Sequence, residues 1–172
     1  MIVNKAYRYR IYPTTEQKIM FAKTFGCVRF IYNKMLSDRI DYYKETGQKL
    51  NNTPAQYKEE FPWLKEVDSL ALANAQMNLN KAYSHFWNDS QHFGKPRFKS
   101  KKNRRASYST NNQKGSVRIE GHKVKLPKVG WVKLCQHRPL PENSIIKTVT
   151  ISKTPSGKYY ISMLVEYENQ IL

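Results

Sequence analysis

The chain has 172 residues, 40% hydrophobic and 13% aromatic, and its 30 Lys and Arg against 13 Asp and Glu give a formal net charge of +17. This composition allows one large domain or two small ones with a real core, and it excludes a disordered basic tail. No stretch has the pattern of a secretory signal or approaches the roughly 18 apolar residues that span a bilayer. We therefore expect a soluble, intracellular protein with no membrane partner.

The positive charge is concentrated in the second half of the chain. Residues 90–160 contain 17 basic and two acidic residues, whereas residues 1–89 contain 13 and nine. Between Asp89 and Glu120 there are nine basic residues and no acid. Such a block repels itself unless a polyanion lies against it. Its Gly, Pro and Ser/Thr/Asn content does not fit an amphipathic membrane helix, so the phosphate backbone of nucleic acid is the better partner.

The first half predicts one strand followed by helices. Residues 4–12 alternate in polarity, which is typical of a strand with one apolar and one basic face. Thr14 begins a helix in which Gly26 makes a break or a tight helix contact plausible. A second, longer helix is then predicted from Val28 to a stop at Gly47.

Two more helices are predicted before the basic second half of the chain begins. Thr53 can cap a short helix at Pro54–Glu60, because proline fits the first turn of a helix. Asp68 or Ser69 caps the next helix, whose apolar stripe continues to Phe86.

The second half predicts a sheet. Strand candidates separated by Pro or Gly turns are residues 117–119, 124–126, 131–135, 145–152 and 158–167. The turn at 154–157 is the strongest hairpin signal. The fold class is therefore α+β: a small β-barrel formed by the amino-terminal strand and the carboxyl-terminal strands, interrupted by an inserted helical bundle.

No catalytic residues, metal ligands or cofactor site can be identified. Cys27 and Cys135 are far apart and are interpreted as reduced thiols. The four histidines stand apart from one another. Glu59 and Glu60 form the one adjacent carboxylate pair, and neighbouring positions diverge on a helix.

Basic residues near aromatic and hydroxyl groups are the candidates for nucleic-acid contacts. The segment 94–102 interleaves cations with Phe98, which either stacks on a base or anchors the segment to the core. Residues 107–112 supply hydroxyl and amide donors, or form a simple polar turn. Four lysines of the barrel half could extend a basic strand face: Lys123, Lys125, Lys128 and Lys133. The predicted contacts are Lys5, Arg8 and Arg10 on one strand face, with Lys95, Arg97, Phe98, Lys99, Lys101, Lys102, Arg104 and Arg105.

Several strings, in order along essentially the whole chain, resemble the transposon-associated TnpB (OrfB) family. They are residues 9–13 (Tyr-Arg-Ile-Tyr-Pro, followed by Thr-x-Glu-Gln), 26–33, 63–69, 94–99, 125–132 and 149–153. The family consists of RNA-guided DNA endonucleases. The resemblance implies a wedge-like (WED) barrel interrupted by a helical recognition (REC) insertion. Residues 1–13 would be the first barrel strand, 14–90 the insertion, and 91–172 the rest of the barrel with its basic loop.

The resemblance also implies partners and motif-reading residues. The partners would be a guide RNA, structured and derived from the transposon end, and double-stranded DNA with a short flanking motif. The localisation would be the bacterial or archaeal cytoplasm, with nucleoid association when DNA is bound. Motif reading would fall to Asn52, Thr53, Ser69, Leu70, Ala73, Thr110 and Asn111. Ser69 and Ala73 depart from the Lys and Gln of some relatives, so a different motif or weaker reading is expected.

The family's RuvC-like cleavage centre and its CxxC zinc ribbon would follow Leu172. We therefore expect a truncated or naturally shortened chain that does not hydrolyse DNA, and that could occupy DNA as a repressor. Two alternatives stay open. The chain is the non-catalytic part of a nuclease completed by a missing domain, or it is an RNA-independent helix-turn-helix regulator that uses residues 15–45.

Overall fold

The computed structural model describes residues 1–102 and 105–169, and it confirms the α+β class with helices inserted between the first and second strands. Strand β1 (Ile2–Tyr12) precedes helix α1 (Thr15–Thr46), two short 3₁₀ helices (Pro54–Tyr57 and Pro62–Glu66) and helix α2 (Ser69–Asn88). The remaining strands are β2 (Ala106–Asn111), β3 (Arg118–Glu120), β4 (Lys123–Leu126), β5 (Gly130–Cys135), β6 (Ile145–Lys153) and β7 (Tyr159–Glu168).

The seven strands form one curled antiparallel sheet, a half-barrel, in the order β2-β6-β7-β1-β5-β4-β3. The amino-terminal strand completes the sheet, as predicted, and it lies at the centre. It pairs with β7 from Ile2↔Glu168 to Ile11↔Tyr159, and with β5 from Arg10↔Cys135 to Tyr12↔Lys133. The predicted hairpin is also confirmed, because Gly157 has a φ of 85° and its N–H donates to the Thr154 carbonyl at 2.9 Å.

The chain divides into two compact units, which we call the sheet unit (Met1–Ala22 and Arg104–Leu172) and the helical unit (Lys23–Asn103). By sequence, the sheet unit has 16 basic and five acidic residues and the helical unit 14 and eight, net charges of +11 and +6. The assignment of residues 1–13, 14–90 and 91–172 to WED-like and REC-like modules stays a prediction.

Each unit has its own core. In the sheet unit, Phe21 on the first turns of α1 packs 5.7 Å from the Tyr159 ring and 6.2 Å from the Tyr108 ring, measured between centroids. Gln17 on the same turns donates to the Trp131 carbonyl at 2.7 Å. The helical unit buries apolar side chains at helical spacing on α1 and α2: Ile31, Met35, Leu36, Leu72, Ala75 and Leu79.

The prediction of a helix break near Gly26 is wrong. Helix α1 is continuous over 32 residues, and a Cβ at Gly26 would meet only the Arg29 Nη2 atom, 3.9 Å away. Glycine in a helix interior lowers helix stability by roughly 1 kcal/mol relative to alanine. Helix α1 tolerates this loss because it is long and has buried residues both before and after Gly26. The predicted stop is confirmed: α1 ends before Gly47, whose φ is 71°.

Two further predictions are corrected. The single helix predicted at Pro54–Glu60 is a 3₁₀ helix over Pro54–Tyr57, and a second one follows at Pro62–Glu66. Strand β2 was not predicted as a strand. The cap of α2 is confirmed as Asp68, whose carboxylate accepts a hydrogen bond from the Leu70 N–H at 3.0 Å.

Candidate nucleic-acid interface

Alternation along β1 separates a core face from a cationic face. Tyr7, Tyr9 and Ile11 are buried, whereas Arg8 is exposed and Arg10 half-buried on the opposite side.

Antiparallel pairing places cations of other strands on the same side as Arg8 and Arg10. Tyr12 is opposite Lys133, Lys133 is opposite Lys123, and Lys125 is opposite Trp131. We call this surface the cationic sheet face: Arg8, Arg10, Lys123, Lys125 and Lys133.

The cationic sheet face is not neutralised by acids. Within residues 1–102 and 105–169, none of its five cations forms an ion pair. Glu120 lies on the same side of the sheet, but it accepts from Arg118, with an Nε–Oε1 distance of 3.4 Å. The like charges repel one another, and a polyanion lying against them would relieve this repulsion.

Aromatic rings hold these cations in place. The Arg8 guanidinium lies 4.0 Å from the Tyr160 ring centroid, and the Arg10 guanidinium 4.9 Å from that of Tyr12. Lys133 is 5.9 Å from the same Tyr12 ring. A guanidinium stacked on a ring keeps N–H groups at its edge for phosphate oxygens. The buried Nε of Arg10 has no hydrogen-bond partner among the described residues.

The other half of this sheet side is rich in hydroxyl and amide groups. Ser109 on β2 hydrogen-bonds Thr150 on β6 at 2.7 Å, and Asn111 Nδ2 donates to the Thr148 hydroxyl at 3.4 Å. Thr110 points to the opposite side and is fully buried. Both residues were predicted to read the DNA motif. Asn111 lies on the same side of the sheet as the cationic sheet face, whereas Thr110 faces the core.

Lys5 does not share a face with Arg8 and Arg10, and that prediction is wrong. Lys5 lies two positions before Tyr7 on β1, so both side chains are on the same side of the strand, and the Lys5 Nζ lies 5.6 Å from the Tyr7 ring centroid. The strand period of two puts successive side chains on opposite faces, so Lys5 is separated from the cationic sheet face.

The helical unit contains a second group of predicted contacts, the basic segment of residues 94–102. The Asn33 amide of α1 clamps this segment: its Nδ2 donates to the Lys99 carbonyl at 2.9 Å, and the Lys99 N–H donates to its Oδ1 at 2.7 Å. The Lys99 ammonium lies 4.5 Å from the Tyr32 ring centroid. Burial lowers the pKa of the Lys99 ammonium.

Lys99, although its ammonium is partly desolvated, is exposed like the other predicted contacts of the basic segment: Lys95, Arg97, Phe98, Lys101 and Lys102. Arg105, also exposed, belongs to the sheet unit, and Arg104 lies outside the described residues. The predicted contacts are thus divided between two units.

Sequence reasoning missed a groove of about 470 Å³ along α1 in the helical unit. Its walls come from one stripe of the helix and from the basic segment: Gly26, Arg29, Phe30, Asn33, Lys34, Ser37 and Phe98. The sequence feature that could have indicated the groove is Gly26, because a glycine inside a helical pattern often has a packing or functional reason.

Asn52, a predicted motif-reading residue, is the centre of a buried network. Its Oδ1 accepts from the Arg39 Nε at 2.7 Å, and its Nδ2 donates to the Tyr57 hydroxyl at 2.8 Å and the Met35 carbonyl at 3.3 Å. The Tyr57 hydroxyl donates to Asp38 at 2.7 Å. Burial, with this bond to Asp38, raises the pKa of Tyr57 to about 12. Base reading by Asn52 stays a prediction, and it would require this network to open.

The other predicted motif readers of the helical unit are accessible. Thr53 is exposed, and Gln76 of α2 donates to the neighbouring Asn52 carbonyl at 3.4 Å, which ties this segment to α2. Ser69 is exposed at the start of α2, and Ala73, one turn later on the same face, is half-buried, as is Leu70.

Within the described ranges, no group of three or more His, Cys, Asp or Glu side chains could hold a metal ion. In the same part of the chain, no helix is both long and apolar enough to cross a bilayer.

Comparison with known proteins gives one family match and several relatives. Residues 1–48 match the family described as a helix-turn-helix domain of the OrfB IS605 type. A Streptomyces pristinaespiralis protein, whose name proposes an RNA-guided DNA endonuclease, is 32% identical over 95% of this chain and 42% of its own length. InsQ of Escherichia coli K12, named in the same way, is 26% identical over 95% of this chain and 41% of its own length.

A third relative is shorter. The virulence protein VsdF of Salmonella dublin is 34% identical over 56% of this chain, which covers 93% of VsdF. The chain thus spans about two fifths of the length of the first two relatives. Residues 1–48, all of which the structure describes, fold as β1 and one continuous helix, without a second helix.

Proposed function

Because this chain belongs to the transposon-associated OrfB (TnpB) family, we propose that it binds nucleic acid as the part that holds a guide RNA and reads a short motif in duplex DNA. In this proposal the sheet unit corresponds to the WED-like module and the helical unit to the REC-like module. The RNA is a structured transcript of the transposon end, and the protein works in the cytoplasm, on the nucleoid when it binds DNA.

The cationic sheet face is the observation that carries this proposal. It aligns five cations that form no ion pair with any described residue, with tyrosines that orient the two guanidiniums. Phosphate oxygens accept from such groups without regard to sequence, and release of counterions makes the affinity depend steeply on salt. The adjacent hydroxyl and amide groups add donors for phosphate or sugar contacts.

We also propose that this chain binds without cutting. Two relatives carry endonuclease names, and this chain matches about two fifths of their length. In this proposal, hydrolysis depends on the portion of those proteins that the chain does not match, and this chain is the non-catalytic part of such a nuclease.

The second candidate is an RNA-independent helix-turn-helix regulator, which the description of the matched family favours. Such a motif needs two helices at a steep angle, the second of which enters the major groove. The single helix α1 does not supply that pair. Its six basic and four acidic residues are also nearly balanced, in contrast to the sheet unit. We therefore favour the guide-RNA proposal.

The test compares the double variant Arg8→Gln/Lys133→Gln with the control Lys44→Gln/Lys81→Gln, which removes two exposed cations of the helical unit. Binding of the full chain to a mixed-sequence DNA duplex is titrated at several salt concentrations. The face variant should lower the slope of log K against log salt by about 2, since each lost phosphate contact removes roughly 0.9.

Equal slopes for the face variant and the control would refute the proposed surface. Sequencing of co-purified nucleic acid separates the two candidate functions. One structured transposon-end RNA supports the guide-RNA proposal, and mixed DNA without RNA supports the regulator.

A further inference from the structure

We propose that the groove along α1 binds one nucleotide of a single-stranded nucleic acid, with the base stacked on Phe98 and its phosphate held by Arg29. This inference rests on the proposed nucleic-acid binding and adds a second site that belongs to the helical unit. A groove of about 470 Å³ is within the range of sites that hold small ligands.

One of the two cations of the groove has no ion-pair partner in the part of the chain that the structure describes. Arg29 is half-buried, and among the described residues it forms no hydrogen bond or ion pair. None of the described residues that line the groove is acidic. Lys34, the other cation, is already paired with Asp38, with an Nζ–Oδ1 distance of 3.3 Å. Arg29 is thus the available group, and its planar guanidinium can donate two parallel hydrogen bonds to a phosphate.

The aromatic side chains of the groove offer a stacking surface. Phe98 is 55% exposed, so its ring is accessible to a base. The backbone beside it is fixed, because the Asn33 amide makes both hydrogen bonds with Lys99. Phe30 is held by edge-on contacts with Phe61 and Trp63, each with centroids 4.8 Å apart. Bases stack on such rings with little dependence on sequence.

Gly26 keeps the groove open. It occupies the interior of α1, and a Cβ there would touch nothing closer than the Arg29 Nη2 atom at 3.9 Å. No close packing therefore requires glycine at this position, although glycine destabilises a helix interior. A larger side chain would occupy the space beside the guanidinium where we place the phosphate.

A single-stranded nucleotide fits these features better than a duplex does. A base must leave its stack to lie on Phe98, and in a duplex that costs unpairing and unstacking. A carboxylate of an acidic peptide would also satisfy Arg29, but a nucleotide joins the phosphate to a planar base that can stack on the Phe98 ring.

The test measures binding of the full chain to three labelled probes: oligo(U), oligo(dT) and an abasic oligomer of the same length and charge. Phe98→Ala should weaken oligo(U) and oligo(dT) binding by about 5- to 150-fold, the range for one stacked base, and leave the abasic oligomer unchanged. Trp87→Ala is the matched control, because Trp87 is also an exposed ring near a cation of the helical unit, Lys49 at 4.8 Å.

Two further variants test the rest of the site. Gly26→Leu should weaken binding of both base-bearing probes without unfolding the chain, because leucine is a better helix former than glycine. Asn80→Leu on α2 is its control, since it adds an exposed leucine outside the groove. Arg29→Gln should weaken binding of all three probes, whereas Lys81→Gln should not.

Failure of this inference is distinguishable from failure of the proposed function. If Phe98→Ala and Gly26→Leu leave oligo(U) and oligo(dT) binding unchanged while the cationic sheet face variant still weakens duplex binding, only the groove site is wrong. The groove site alone is also wrong if Phe98→Ala weakens binding of the abasic oligomer as much as binding of oligo(U). It is likewise wrong if an acidic peptide displaces oligo(U) equally well from the unmodified chain and from the Phe98→Ala variant. Absence of binding to every probe and to duplex by the unmodified chain would overturn both.

Discussion

Replacement of Asn52 by alanine separates a structural role from a reading role. The Asn52 amide is 2% exposed and joins Arg39, Tyr57 and the Met35 carbonyl. Asn52→Ala removes the acceptor of the Arg39 Nε and a donor to the Tyr57 hydroxyl. If the Asn52 side chain has a structural role, the variant should have a lower free energy of unfolding than the unmodified chain. If it reads bases, the variant should instead lose its preference for one DNA motif.

The expected magnitude follows from the three hydrogen bonds. The bond from the Arg39 guanidinium is charge-assisted and contributes about 1.5–3 kcal/mol, and each neutral bond contributes about 0.5–1.5 kcal/mol. Arg39 and Asp38 are half-buried, so water replaces part of what is lost. We expect a loss of about 3 kcal/mol in the free energy of unfolding. For a chain of this size that corresponds to a fall of about 6–12 °C in Tm.

Thermal and urea unfolding of the full chain measure this loss, with Asn51→Ala as the control. Asn51 is the neighbouring asparagine, but it is exposed and lies outside the helices and strands. The control should therefore stay within about 0.5 kcal/mol of the unmodified chain. An Asn52→Ala chain of unchanged stability that has lost its preference for one DNA motif would refute the network argument and favour base reading.

Three further outcomes are expected. Gly26→Ala should raise the free energy of unfolding by about 1 kcal/mol, because the added Cβ makes ordinary contact with one neighbour; a decrease in urea unfolding would contradict this. The pKa of Tyr57 lies near 12 in the folded chain, above its ordinary value of 10, so folding favours the neutral phenol. Its contribution to stability should be complete below pH 10 and lost as the pH rises from 10 to 12, and Tyr57→Phe should remove that part of the pH dependence in urea titrations. Replacement of Lys99, Lys101 and Lys102 by alanine should weaken nucleic-acid binding and reduce its salt dependence without unfolding the chain, as circular dichroism and salt titration would show.

Most of the sheet could be predicted because its strands alternate in polarity. Apolar side chains occupy every second position from Tyr159 to Val165 after a clear turn, and the structure has β7 there with these positions buried. The same reasoning found β1, because Tyr7, Tyr9 and Ile11 occupy every second position and therefore share one side of the strand. Pattern alone did not place β1 at the centre of the sheet, since pairing partners far along the chain leave no local signal.

Strand β2 was missed because its inward positions are not aliphatic. Tyr108 and Thr110 face the core, while the serines and Asn111 face outward, so the segment has the composition of a polar turn. Its six residues pair fully with β6, and that long-range ladder decides the conformation.

The sites were harder to predict than the fold. A polar residue such as Asn52 in a loop is usually exposed, and its burial depends on Arg39 and Tyr57 from other segments. The groove depends on the clamp between Asn33 and Lys99, which lie 66 residues apart in the sequence. Sequence reasoning found the cations and Phe98, but it could not assign some of them to the sheet unit and others to the helical unit.

The geometry of the cationic sheet face argues against locating the proposed binding in the matched domain of residues 1–48. That range contributes Arg8 and Arg10, while Lys123, Lys125 and Lys133 come from strands more than 100 residues later. Only the pairing of β1 with β5, and of β5 with β4, brings the five cations to one side of the sheet. Counterion release depends on how many phosphates are contacted together, so a surface with two of the five cations would lose most of the salt-dependent affinity. In the proposed function, phosphate binding by the cationic sheet face is therefore a property of the assembled sheet rather than of its first strand alone.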